Sequence, residues 1–271
     1  MSRVNYSGPE GSREYTLFRP SSLPEQRSRR ALVVMLHGCT QSADDFARGT
    51  RMNDAAERGG FLVLYPEQSV VAHPQKCWNW YRAEHSTRGR GEAAILAGMI
   101  DSVARAEGVS ASHVSLVGMS AGAAMAANLA VAYAERYAAV AMHSGVPALA
   151  ATDVTAALRV MQQGDSDGDA LGSAAVSAMG ANAHAIAVIV LHGGADKVVV
   201  PANLHATVRE WTVVNSLAPG KGAPVEEHLF NGVGHAWSGG SSNGSFTAPD
   251  GPDATSLVIA FFSRAGSIVT P

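Results

Sequence analysis

Short apolar runs recur along the chain, and each breaks off at a glycine or a polar turn. They are "ALVVMLHG" (31–38), "FLVLYPE" (61–67), "VSLVGMS" (114–120), "AVAMHSG" (139–145), "IAVIVLHG" (186–193) and "VEEHLFNG" (225–232). Several carry apolar residues on both faces, the pattern of strands buried inside a parallel sheet. Between them lie helical stretches. One starts at Ser42, where "SADD" reads as a capping box, and runs towards Arg58. A second covers about Glu92 to Glu107, a third starts at Ser120, a fourth follows Pro201, and the fifth is "DATSLVIAFFSRA". Residues 1–30 are polar apart from "EYTLFRP", which reads as an edge strand. Strand alternating with helix predicts an α/β fold: a mostly parallel, doubly wound sheet with helices on both faces. The stretches 68–91 and 161–182 look least regular and read as insertions that cover a site.

The strand "VSLV" runs into "GMSAG" (118–122), a full match to G-x-S-x-G followed by an Ala-rich helix. That motif carries meaning only between a strand and a helix, where a strained turn holds the serine out and the helix N-terminus supplies N–H groups for an oxyanion. Gly118, Ala121 and Gly122 are small enough for such a turn. In α/β-hydrolases the order is Ser, then Asp or Glu, then His. Asp196 follows the run "IAVIVLHG", and His235 sits in a Gly-rich loop after "VEEHLFNG". Both therefore fall at the carboxyl ends of strands, where open α/β sheets place ligands. With ten histidines in the chain, position decides: His143 and His192 also end strands, but neither lies in a Gly-flanked loop after the last one. Ser120 is thus the expected nucleophile, His235 its base and Asp196 the orienting acid. The loop "MLHGCTQ" follows an early strand, so the expected oxyanion donors are the N–H groups of Cys39 and Ala121. Cys39 as nucleophile is the weaker reading, because no base follows it in the required order.

Other features narrow the function classes. A net charge of −3 gives no electrostatic support to a nucleic-acid or anionic-membrane partner. No apolar stretch reaches the ~18–20 residues of a membrane span, and the N-terminus has no apolar core of a signal peptide. With 46% hydrophobic and 16% charged residues, the chain of 271 is expected to fold as one domain over 1–271. "GDSDGD" (164–169) hints at a calcium loop. Counted from Asp165, however, Ala170 and Val176 stand where an EF-hand needs Gly and Glu, so a solvated acidic turn is expected and no metal. "GRGEA" (89–93) follows no strand and is not read as a dinucleotide loop. No organic cofactor is required. A catalytically silent fold used for binding would show a broken triad; none of the three positions is broken.

The segments "LHGCTQSADDFARGTRMNDAAERGGFLVLYPEQ", "CWNW", "RGRGE", "GMSAGAAMAANLA", "HGGADKVVVP" and "GHAWSGG" resemble the polyhydroxybutyrate depolymerase-type esterase family, close to feruloyl and acetylxylan esterases. The resemblance runs from about Arg13 to Arg264. It implies the α/β-hydrolase fold and a serine hydrolase of carboxylic esters, acting on hydroxyalkanoate oligomers, polyesters or short-chain esters, with feruloyl or acetylxylan-type esters as the alternative. It also implies that many members are exported, which points to a secreted or periplasmic protein. Polymer-degrading relatives often add a separate polymer-binding domain, and none is expected here. "KCWNWY" (76–81) admits two readings: Trp78 and Trp80 plug the core, or at least one ring joins Trp237 as an apolar substrate wall. On the second reading Cys77 bonds to Cys39 and ties this segment to the oxyanion loop, which requires an oxidising compartment.

Overall fold

The computed structural model describes residues 2–164, 167–220 and 222–268. Its strands are β1 (Ser2–Gly8), β2 (Gly11–Phe18), β3 (Leu32–Leu36), β4 (Leu62–Pro66), β5 (Val114–Met119), β6 (Ala139–His143), β7 (Ala187–Gly193) and β8 (Val225–Phe230), with the two-residue pair β9 (Trp237–Ser238) and β10 (Thr247–Ala248). The helices are α1 (Ala43–Thr50), α2 (Met52–Gly59), α3 (Ala83–Ser86), α4 (Gly91–Glu107), α5 (Ala121–Ala132), α6 (Val154–Gln163), α7 (Gly168–Met179), α8 (Ala202–Leu217) and α9 (Ala254–Arg264). One sheet runs in the order β1-β2-β4-β3-β5-β6-β7-β8. It is parallel from β4 to β8, and the β1–β2 hairpin adds two antiparallel strands at one edge.

Side-chain alternation along the parallel strands splits the core in two. Val33, Met35, Val117, Met119, Ile189 and Leu191 pack on one face under α1, α2 and α9. Leu32, Val34, Leu116, Val140, Val188 and Val190 pack on the other with α4, α5 and α8. β3, β4, β5, β6 and β7 are buried along their whole length, which is why they appear in the sequence as unbroken apolar runs.

Three expectations need correction. "EYTLFRP" is not an edge strand: β2 lies second from the edge, and β1 covers it. The pattern of β1, "SRVNYSG", is largely exposed and gives little apolar signal. The helix from Ser42 is two helices, broken at Arg51, which sits in the left-handed region with φ 54°. Ser42 does cap the first of them, its side chain accepting from the Asp45 N–H at 3.2 Å. The stretch 161–182 is largely helical: it holds the end of α6 and all of α7. Of "GDSDGD", Asp165 lies outside the described residues, and Asp167 caps α7 by accepting from the Asp169 and Ala170 N–H groups.

The segment 68–82, by contrast, carries no strand and only turns, and it is built on one buried carboxylate. Glu92, 1% exposed at the start of α4, accepts from Gln68 Nε2 (2.6 Å), the Asn79 N–H (2.8 Å), Asn79 Nδ2 (2.8 Å) and Arg13 (3.3 Å). Gln68 passes the link on, its amide donating to the Cys77 carbonyl at 2.9 Å. Removing the carboxylate strands a nearly buried guanidinium and several donors. Glu92→Ala should therefore cost about 3–5 kcal/mol in urea unfolding, against well under that for exposed Glu84→Ala. Equal losses would show that the segment does not depend on Glu92.

Candidate active site

The carboxyl ends of β3, β5, β7 and β8 meet at one edge of the sheet, and the turns that leave them carry Cys39, Ser120, Asp196 and His235. Leaving β5, the chain reverses at Ser120 with φ 56° and ψ −124°, a strained conformation for a residue with a side chain. The turn closes only because its neighbours are glycines. A Cβ on Gly118 would run into the Gly122 carbonyl, and one on Gly122 into the carbonyl of Leu36. The Ser120 N–H donates to the His143 carbonyl at 2.9 Å, so β6 fixes the turn from the other side.

Three side chains line up on this turn. Ser120 Oγ lies 2.9 Å from His235 Nε2, and His235 Nδ1 lies 2.7 Å from Asp196 Oδ2. A carboxylate can only accept, so Nδ1 carries the imidazole proton and Nε2 is left to accept from the serine hydroxyl. Asp196 Oδ1 is itself held by the Val198 and Val199 N–H groups, each at 2.9 Å. Burial alone would raise the Asp196 pKa. The His235 hydrogen bond and charge, with the two backbone donors, outweigh it and hold the carboxyl below its ordinary value.

The loop after β3 faces the same point. In it the Gly38 N–H is taken by Gln41 Oε1 (2.9 Å), the Thr40 N–H by the Gln75 carbonyl (2.6 Å) and the Gln41 N–H by the Gly38 carbonyl (3.4 Å). Within residues 38–41 this leaves the Cys39 N–H uncommitted. Ala121, the first residue of α5, contributes an N–H with no partner inside its own helix. His37 braces the loop: its Nε2 accepts from the Gln68 N–H (3.1 Å), so Nδ1–H donates to the Gly38 carbonyl (2.8 Å). Burial pushes the His37 pKa down and keeps it neutral in that tautomer. Cys39 and Cys77 form a disulfide, so the segment 68–82 is tied covalently to this loop.

A cavity of about 260 Å³ opens beside Ser120, with Ala121, Cys39, Cys77 and Trp80 among its walls. The structure separates the three tryptophans. Trp80 lines the cavity. Trp78, fully buried, does not; its indole donates to the His37 carbonyl at 3.0 Å within the core. Trp237 is corrected likewise: it lies on the opposite face of the sheet, edge-on to Phe46, stacked on His143, and donating to Thr255 Oγ1 at 3.1 Å. Two residues after His235 is close in sequence, but the β9–β10 pairing turns that side chain inward, away from the cavity.

Sequence reading missed what holds the cavity's far wall. The turn after β6, residues 144–150, donates two hydrogen bonds: the Ala148 N–H to Glu210 Oε2 and the Leu149 N–H to Asn128 Oδ1, both 3.0 Å. Glu210 sits on the buried stripe of α8 with Asn203, Thr207 and Val214, and a carboxylate at that helical spacing was the available signal. Burial raises its pKa well above the usual carboxylate range.

With the geometry set, the relatives can be compared. The family described as Esterase PHB depolymerase matches residues 14–227. The poly(3-hydroxyalkanoate) depolymerase C of Paucimonas lemoignei is 32% identical over 210 residues, covering 77% of this chain and 50% of that protein. A probable acetylxylan esterase A of Aspergillus clavatus is 28% identical over 69% of this chain and 62% of its own length. The chain thus spans about half to three-fifths of these curated relatives. Among solved structures, an acetyl xylan esterase from Aspergillus awamori superposes with TM-score 0.73 at 24% identity, over 87% of this chain and 94% of that one. That likeness carries the fold, which is the α/β-hydrolase fold.

Two measurements test the supports. The disulfide closes a separation of 38 residues, worth roughly 4 kcal/mol in the chain-entropy model. Denatured, unreduced protein should show no free thiol, and reduction should lower Tm by about 8 °C or more; an unmoved Tm would make the bridge thermodynamically idle. For Glu210, a raised carboxyl pKa means stability present below about 4.5 and lost as pH rises through the folded value. Wild-type Tm should fall across that rise, and Glu210→Gln should flatten the fall. Parallel curves for the two proteins would exclude Glu210 as the source.

Proposed function

The chain belongs to the Esterase PHB depolymerase family, and from that premise we propose that it is a serine esterase acting through an acyl-enzyme on Ser120. The observation that carries the reading is the unbroken line from Ser120 through His235 to Asp196, with the serine on a strained strand-to-helix turn. His235 takes the hydroxyl proton as Oγ attacks the ester carbonyl, and Asp196 holds the tautomer and stabilises the imidazolium. The N–H groups of Cys39 and Ala121 receive the oxyanion, each donor of this kind being worth about 3–4 kcal/mol in the transition state. His235 then gives its proton to the leaving alcohol. In the second half His235 deprotonates water as it attacks the acyl carbonyl, and His235 then gives that proton to Ser120 Oγ as the acid leaves.

The substrates we assign are hydroxyalkanoate oligomers or polyesters and short-chain esters. Support comes from the similarity to a poly(3-hydroxyalkanoate) depolymerase and from a cavity walled chiefly by apolar side chains. The similarity to acetylxylan esterases keeps polysaccharide acetyl or feruloyl esters as the alternative. The disulfide supports a secreted or periplasmic location, because such bridges persist in oxidising compartments. Among the described residues no helix is long and apolar enough to cross a membrane.

Ser120→Ala should lower kcat on p-nitrophenyl butanoate by about 10⁴-fold or more with the fold intact by circular dichroism. Asp196→Asn should lose about 10⁴-fold, since an amide can hold the wrong tautomer. Near-wild-type turnover by either variant would end the mechanism. Turnover of hydroxybutyrate oligomers far above that of acetylated xylan and methyl ferulate is the expected order, and the reverse order would establish the alternative.

A further inference from the structure

We infer that the cavity beside Ser120 is the acyl pocket, and that α6 determines which acyl chains the protein accepts, favouring chains longer than acetyl. The inference rests on the esterase reading above and deepens it. Along α6, Val154, Ala157, Leu158 and Met161 fall at i, i+3, i+4 and i+7, a single apolar stripe. On a surface helix such a stripe ordinarily turns to the core. Here all four residues line the cavity, and Val154 and Leu158 stay 51% and 50% exposed. The apolar face of α6 is therefore directed at the space next to the nucleophile. Only Ala157 and Val160 of the helix are buried.

The helix is nonetheless fixed in place. Asp153 caps its start, accepting from the Ala156 N–H at 2.8 Å. At its end the Val160 carbonyl accepts from Asn203 Nδ2 (2.9 Å) and the Met161 carbonyl from the Val200 N–H (2.8 Å). The last contact joins α6 to the loop that carries Asp196, so the wall and the acid are held by one piece of chain.

Which half of the ester enters follows from the lining. Ser120, Ala121 and Cys39 border the cavity, and His235 does not. The leaving alcohol must lie within reach of His235, which gives it a proton. The alcohol therefore occupies the His235 side, and the cavity on the oxyanion side takes the acyl group. At about 260 Å³ it lies just under the roughly 300–1,000 Å³ of ordinary small-molecule pockets, which suits one short to medium chain.

The test uses two ester series on the intact chain: p-nitrophenyl esters of lengthening acyl chains, and acetate esters of lengthening alcohols. Each methylene buried against α6 is worth about 0.8 kcal/mol, a rise of roughly four-fold in kcat/KM per carbon until the cavity is full. The double variant Val154→Ser, Leu158→Ser changes two half-exposed positions and should retain the wild-type fold and Tm. It should cut the acyl-series rise to two-fold per carbon or less and leave the slope of the alcohol series in place. Leu158→Met, which keeps the apolar contact, should restore most of the rise. Flattening of the alcohol slope instead, or unchanged slopes in both series, would overturn the assignment. Failure of the wild type to hydrolyse any ester in either series would overturn the esterase reading itself, a separate result.

Discussion

The site depends on one close approach: the first turn of α5 presses against the end of β3. Gly122 sits where any Cβ would meet the Leu36 carbonyl, and Gly118 where one would meet Gly122. With that contact in place, the chain leaving β5 has no room for a wide turn and must reverse within one residue. Ser120 takes the positive φ that results. Strain of this kind costs about 1–3 kcal/mol and persists only when the surroundings fix it. Here the fixing comes from parallel neighbours on both sides, with Leu36 paired to Gly118 and Met119 paired to His143. The same approach brings the loop after β3 to the helix N-terminus, so under the proposed mechanism the tight turn at Ser120 is also what sets the Cys39 loop beside Ala121.

The loop after β3 is secured by chemistry rather than by packing alone. A disulfide, a buried histidine and the Thr40–Gln75 hydrogen bond hold it against the segment 68–82. That segment has no ladder of its own, and its polar groups converge on Glu92. An irregular segment that borders the cavity is thereby held by side-chain hydrogen bonds and a disulfide in place of a ladder. The arrangement explains why two aromatic rings two positions apart in it behave so differently. Trp78 donates to the His37 carbonyl beneath the loop, whereas Trp80, also buried, lines the cavity.

The parallel strands were readable because burial on both faces leaves an unbroken apolar run, and their loops followed once their carboxyl ends were known. Ser120 and Asp196 could be singled out for the same reason, each following such a run, whereas His235 follows the half-exposed β8 and was marked by its Gly-rich loop. What the sequence hid is what long-range packing decides. Trp237 lies two residues from His235, yet a two-residue pairing with Thr247–Ala248 turns it to the opposite core. β1 escaped notice because five of its seven residues are exposed. The apolar stripe of α6 overlapped a region taken as irregular, because its neighbour "GDSDGD" suggested a loop. Glu210 is buried on α8, and nothing in its immediate sequence neighbourhood marks it.

The charge balance of the site follows from which histidines are kept neutral. His143 and His192 end the two strands nearest Asp196, and His192 Nε2 lies only 3.5 Å from its Oδ2. A charged His192 would draw the carboxylate away from His235. Burial lowers the His192 pKa, and the Val199 carbonyl, 2.9 Å from Nε2, takes the single proton of the neutral ring. His143 is pushed down to about 3 by burial first and by its histidine neighbours next. Its Nε2 accepts from the Ser238 N–H at 3.3 Å, leaving Nδ1–H for Ser144. Both rings thus serve as fixed neutral dipoles. Under the proposed mechanism the positive charge that appears on His235 meets one uncommitted negative partner, and that partner is already oriented by two backbone N–H groups before any substrate arrives.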